Sequence, residues 1–252
     1  MLLSAGQESH TYEPTPSDIL KIEQCDVFVC GGGESESWVD RIIDSADAEL
    51  TVVKMMEVCN LHKNEHSHSH EDEHDHGEYD EHVWTSPVNA KLILKAVSDA
   101  LCKKDSVNAD YYRANTENYL AEIEKLDFAF RSLGESSKGK YAVIGDRFPL
   151  RYLMLEYGID YHAAYSGCSA SVEVNPVTIA KLNEMIEKDK IPIVFKVDLS
   201  NGNVARSMCE QTEASLGTLY SCHVVSQELF DSDETYVSLM YKNLEALKQA
   251  LK

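Results

Sequence analysis

Short apolar runs alternate with longer amphipathic stretches along most of this chain. That rhythm reads as repeated strand and helix units, which close into a parallel sheet covered by helices, so the expected class is α/β. An all-helical chain would lack the short runs, and an all-β chain would lack the helical periodicity. In the first half the candidate strands are residues 26–30 and 50–53. A helix is expected to start at Thr15, with Pro16 in its first position and Asp18 closing a capping-box-like turn. Another opens at Ser86 and Pro87, and its apolar residues Ala90, Ile93, Leu94, Val97 and Leu101 recur at helical spacing.

Residues 108–133 carry Tyr112, Tyr119, Ile123, Leu126 and Phe130 with no internal Gly or Pro, which predicts one long helix. At 1.5 Å per residue it would reach roughly 35 to 40 Å, enough to join two lobes. The Gly- and Ser-rich residues 134–139 then read as a boundary. Beyond it, strands are expected at 141–144, 193–196 and 218–221. Helices are expected at 148–157, stopped by Gly158, at 176–188, capped by Asn175, and at 204–216, capped by Asn203. Near the end, Val237, Met240, Leu244, Leu247 and Leu251 form an amphipathic stripe that belongs in a core. The expected organisation is an N-terminal lobe at 1–107 with a His-rich loop at 62–81, a linking helix at 108–134 and a C-terminal lobe at 140–252.

The 252 residues include 43 Asp and Glu against 23 Lys and Arg, a formal charge of -20. Such a chain repels a phosphate backbone and attracts cations, which excludes nucleic acid as a partner. No apolar run approaches the ~18 residues of a membrane span. Seven Cys occur without a CxxC pair, so a zinc ribbon, a thioredoxin motif and a regular disulfide framework lack support. The opening residues show neither a basic segment followed by an apolar one nor a lipidation motif, so no export signal is read in this chain.

The outlying segment is 62–78, where six of the ten His stand among acids: His62, His66, His68, His70, His74 and His76. No packed core can be built from it. Neutral imidazoles spaced along a flexible acidic loop bind zinc, copper or nickel loosely and exchangeably, so the tract reads as an auxiliary, low-affinity metal-capture segment. A selective site needs ligands fixed on rigid elements. The remaining His are His10, His82, His162 and His223, too far apart in sequence for spacing to group them.

Several segments, taken in order, carry a resemblance. The residues His10, Tyr12, Pro14, Pro16 and Asp18 form an H-x-Y-x-P-x-P-x-D run. Next come a strand, Gly-rich turn and E-x-W from Val27 to Trp38, then the His-rich loop. After these stand His82, Trp84, Ser86 and Pro87, and finally Tyr236, Met240 and Asn243. This ordered set resembles the zinc/manganese solute-binding proteins of bacterial ABC importers, over nearly the whole chain. The resemblance implies two α/β lobes joined by one long helix, with one metal held in the cleft between them. It makes His10 and His82 the ligands from the first lobe.

The second lobe departs from the family pattern. Direct alignment puts Arg147 where the family has its third ligand, and a guanidinium cannot bind a cation. The expected third ligand is therefore its neighbour Asp146, at the C-terminal end of a strand. His223 stands in the region of the fourth. Three imidazoles and one carboxylate suit Zn(II), whereas Mn(II) would prefer more oxygen. The resemblance further implies a monomer that passes its metal ion to the membrane permease of an ABC importer. Its expected location is extracytoplasmic, periplasmic or as a membrane-tethered lipoprotein.

A closed site without a general base is not expected to be an enzyme. The alternatives are a zinc-dependent hydrolase using Glu173 or Asp198 as base, and a metal-storage or surface-interaction (cell adhesion) protein. GxSxG is absent. Cys168 and Cys222 both follow candidate strands of the second lobe, and the readings for them are a disulfide in an exported protein, two buried free thiols, or direct zinc ligation. In the family a signal segment, a strand and a helix precede the stretch matched by Leu2 to His10, so the first lobe is expected to lack its first strand and helix, as in a truncated form.

Overall fold

The computed structural model describes residues 2–7, 12–44, 50–63, 79–165 and 174–252. The chain forms two compact units, one of Met1–Ser4 and Glu8–Glu124, the other of Ala5–Gln7 and Lys125–Lys252.

The first unit contains α1 (Pro16–Glu23), β1 (Val27–Cys30), α2 (Ser37–Ile43), β2 (Thr51–Lys54), α3 (Met55–Val58) and α4 (Pro87–Lys104). Its last residues are the first part of α5 (Ala109–Ser136). Strands β1 and β2 pair in parallel, from Val27 opposite Thr51 to Cys30 opposite Lys54. Thr15 and Asp18 close a reciprocal capping box on α1, with Pro16 in the first turn. Ser86 caps α4 through Val88 N and Asn89 N, again with Pro following the cap. Ile22, Val39, Ile42, Val53 and Val83 are buried. Helices α2 and α3 were not expected: at seven and four residues they are too short to show a period.

Helix α5 is 28 residues long and runs through Gly134, which the sequence reading took for the start of a boundary. A Cβ at Gly134 would stand 1.9 Å from the Tyr157 carbonyl oxygen, so glycine is there for close backbone approach rather than for a turn.

The second unit continues with β3 (Tyr141–Ile144), α6 (Arg151–Tyr157), β4 (Asp160–Ala163), α7 (Pro176–Asp189) and β5 (Ile193–Val197). It closes with α8 (Asn203–Gln211), β6 (Ser215–Leu219), α9 (Gln227–Phe230) and α10 (Tyr236–Ala250). Its parallel sheet has the order β4-β3-β5-β6. Alternation along the strands divides the core. Ala142, Ile144 and Phe195 join Leu126, Phe130, Leu153, Met240, Leu244 and Leu247 in one cluster. Val143 and Val194 join Leu182, Ile186, Ala205 and Met208 in the other.

The boundaries of α6, α8 and β6 differ from expectation. Helix α6 begins at Arg151 rather than at 148, because the residue before Pro149 is pushed out of helical geometry. Asn203 is the first helical residue of α8 and not its cap; the cap is the left-handed Gly202. That helix stops at Gln211, so β6 starts at Ser215, three residues ahead of expectation. Edge strand β4 was missed, since DYHA carries little apolar signal. Among the described residues no helix is long and apolar enough to cross a membrane.

Candidate metal-binding site

In the first unit the segment leading to His82 is held at each residue. Lys63 and Tyr79 form an isolated antiparallel bridge, and Asp80 N donates to His62 O at 3.1 Å. Glu81 accepts from Ser35 N at 3.0 Å and from Ser35 Oγ. Asp80 Oδ1 accepts from His82 N at 2.9 Å and lies 2.8 Å from His82 Nδ1. His82 itself is 5% exposed, and its carbonyl accepts Thr85 Oγ at 2.8 Å. In the neutral ring, a carboxylate beside Nδ1 holds the proton there and leaves the lone pair on Nε2. This is the arrangement by which an outer carboxylate orients a metal-binding imidazole. Downstream, Trp84 lies with its ring 5.5 Å from the imidazole.

In the second unit the candidates lie just beyond the C-terminal ends of the strands. Gly145 N continues the ladder to Phe195 O at 2.8 Å, and Asp146 follows. Asp146 is 9% exposed; Oδ1 accepts Arg147 N at 2.9 Å and Oδ2 accepts Val197 N at 3.1 Å. It thus ties β3 to β5, and a carboxylate with about four lone-pair positions keeps two of them for a cation. Arg147 lies with its guanidinium carbon 5.6 Å from the centre of the Tyr165 ring, a cation–π contact.

His223 is half-buried in the turn after β6. Ser221 N donates to Asp198 Oδ1 at 2.8 Å, and His223 N donates to Ser221 Oγ at 3.2 Å. Burial raises the Asp198 carboxyl above its ordinary range, against the lowering effect of Ser221. Asp198, by sequence a candidate hydrolase base, fastens the turn that carries His223.

His10, His66, His68, His70, His74 and His76 lie outside the described residues, as do Cys168 and Glu173. His62 is half-buried at the foot of the loop. His162 is exposed on β4, edge-on to Tyr141 at 4.8 Å. Cys222 packs against the core, and burial pushes its thiol up to about 12. Among the described residues no group of three or more His, Cys, Asp or Glu is gathered closely enough to hold a metal. The residues that sequence reading missed are Asp80, Asp198 and Asn243 as supports. Asn243 entered only through the resemblance and Asp198 only as a candidate base, whereas Asp80 had a local signal, a carboxylate two positions from a candidate ligand.

The chain is similar to the zinc-binding lipoprotein AdcA of Streptococcus pneumoniae, at 29% identity over 254 residues, 99% of this chain and 50% of that protein. The chain therefore spans about half the length of that relative. It is also 29% identical over 256 residues to the high-affinity zinc uptake system protein ZnuA of Bacillus subtilis, covering 100% of this chain and 80% of that one. Among solved structures, the Zn(II)-bound ZnuA-like domain of S. pneumoniae AdcA matches with a TM-score of 0.79 at 26% identity, over 99% of this chain and 89% of that chain. The metal-dependent lipoprotein YcdH from B. subtilis matches with a TM-score of 0.82 at 26% identity, over 100% and 90%. The model of the family described as zinc-uptake complex component A, periplasmic, matches residues 1–250, and the chain belongs to that family.

Proposed function

We propose that this chain is an extracytoplasmic receptor that captures Zn(II) and delivers it to the membrane permease of an ABC importer. Its proposed ligands are His10, His82, Asp146 and His223, with the imidazoles of the 62–78 tract as auxiliary, exchangeable binders. The observation that carries the reading is the Asp80 to His82 contact of 2.8 Å, which presents Nε2 as the metal-binding atom of a buried ring. The supporting comparisons are the zinc-named relatives and the membership just described. Metal is cargo in this reading, and no residue is assigned a catalytic part. The protein acts as a monomer, either periplasmic or tethered as a lipoprotein.

Calorimetric zinc titration of folded protein tests the ligand assignment. His82→Ala should weaken binding far more than deletion of residues 62–78. If the deletion abolishes tight binding while His82→Ala leaves it intact, the ligand set is wrong and the storage reading takes its place.

A further inference from the structure

The turn after β6 is built with more constraint than its length requires. Cys222 has φ 53°, in the left-handed region that costs an L side chain energy, and Leu199, just past Asp198 at the end of β5, has φ 58°. Two such residues at neighbouring strand ends persist only where the surroundings over-determine the backbone. The surroundings here are specific. Asn243, fully buried on α10, accepts Tyr220 N at 2.7 Å and donates Nδ2 to Tyr220 O at 2.8 Å. Asp198 N donates to Leu219 O at 2.8 Å while its carboxylate takes Ser221 N at 2.8 Å. Ser221 Oγ then takes His223 N at 3.2 Å. The hydrogen bonds therefore fix the backbone on both sides of the strained Cys222, and the residue they deliver is His223.

We infer that Asp198, together with Asn243, is a positioning residue for metal capture, holding the turn that aims the His223 imidazole. This rests on the reading that His223 binds zinc. A half-buried carboxylate tied to a backbone N–H, a buried amide gripping both polar groups of one peptide and a left-handed cysteine are more than a surface turn needs. They are what a ligand held on a loop needs if its ring is to stay in place.

The test uses the intact chain, zinc titration, and the ligand-field absorption of bound Co(II) as a report on coordination geometry. Asp198→Asn keeps an oxygen facing Ser221 N and should bind zinc nearly as wild type. Asp198→Ala removes it and should lower zinc affinity ~10- to 100-fold, with weakened Co(II) bands, in protein that circular dichroism shows to be folded. Should Asp198→Ala fail to fold, Ser221→Ala removes the acceptor of His223 N together with the hydroxyl's bond to Asp198, and must show the same weakening. His82→Ala and His223→Ala separate this inference from the reading beneath it. If neither changes zinc affinity, the receptor site itself is misassigned. If His82→Ala weakens binding but His223→Ala does not, or if His223→Ala weakens it while folded Asp198→Ala and Ser221→Ala bind zinc and give Co(II) spectra as wild type, the positioning role is overturned.

Discussion

In the first unit a carboxylate two residues away touches the imidazole of the candidate ligand; in the second, hydrogen bonds grip the backbone around it. Asp80 reaches His82 at Nδ1, so it selects a tautomer as well as an orientation. Asp198 and Asn243 reach the peptides from Tyr220 to His223, so they select where the ring starts from. The scaffolds differ in the same sense. Parallel β1 and β2 frame the first unit, with α4 against them, whereas the second has its sheet of β4-β3-β5-β6 sandwiched between two apolar clusters. A well-packed sheet can hold a strained turn. Among the described residues of the first unit only β1 and β2 pair as a sheet, and there the candidate ligand is fixed through its own side chain.

The largest expected effect tests the packing half of that comparison. Phe195, fully buried in β5, touches the cluster that includes Leu126, Phe130 and Met240, and Phe195→Ala should cost about 3–5 kcal/mol in denaturant unfolding. A cost under ~1 kcal/mol, within the range of surface changes, would show that the second unit is less firmly packed than its burial implies. Next is Gly134→Ala, which drives a methyl group against the Tyr157 carbonyl and should destabilise the second unit by about 1–3 kcal/mol, despite the better helix propensity of Ala. A stabilised variant would mean that α5 can slide at this point.

Asp80→Ala examines the ring-holding half. Zinc affinity should fall ~10- to 100-fold, with a smaller effect for Asp80→Asn, which keeps an acceptor but loses the charge. Equal zinc affinity in Asp80→Ala and wild type would remove the distinction between the units and weaken the case for His82.

Much of this was legible in the sequence. Strand β3 was placed to the residue, because YAVI stands between a Gly- and Ser-rich stretch and a Gly-Asp turn. Capping residues Thr15, Ser86 and Asn175 announced α1, α4 and α7 by chemistry that acts within three residues of chain. Interactions between distant residues left no such trace. Gly134 reads as a breaker until Tyr157 is seen against it, and nothing near Asp198 in sequence tells that Ser221 is its partner. Asn243 looks like one polar residue in an apolar stripe, and only the fold shows it gripping Tyr220 from 23 residues away. The candidate ligands were suggested by resemblance; the groups that hold them had to be seen.

The smallest expected effect is a pH dependence confined to the first unit. Asp18 accepts Thr15 Oγ at 2.6 Å, Thr15 N at 3.1 Å and Lys21 Nζ at 2.9 Å. These contacts, led by Thr15 and then Lys21 and Tyr12, hold its carboxyl well below the usual carboxylate range. A carboxyl depressed in the folded state contributes stability that is fully present above its unfolded pKa near ~4, and that is lost as pH falls through the folded value. Both tryptophans, Trp38 and Trp84, belong to the first unit, so tryptophan fluorescence reports its unfolding. Wild type should unfold more easily as pH drops below ~4, and Asp18→Asn, which keeps the acceptor for Thr15 but has no charge to offer Lys21, should be slightly less stable at neutral pH with a flatter acid limb. The two fluorescence curves should converge in acid. If they run parallel down to the lowest pH at which the protein folds, the capping-box carboxylate is not what ties this unit's stability to pH.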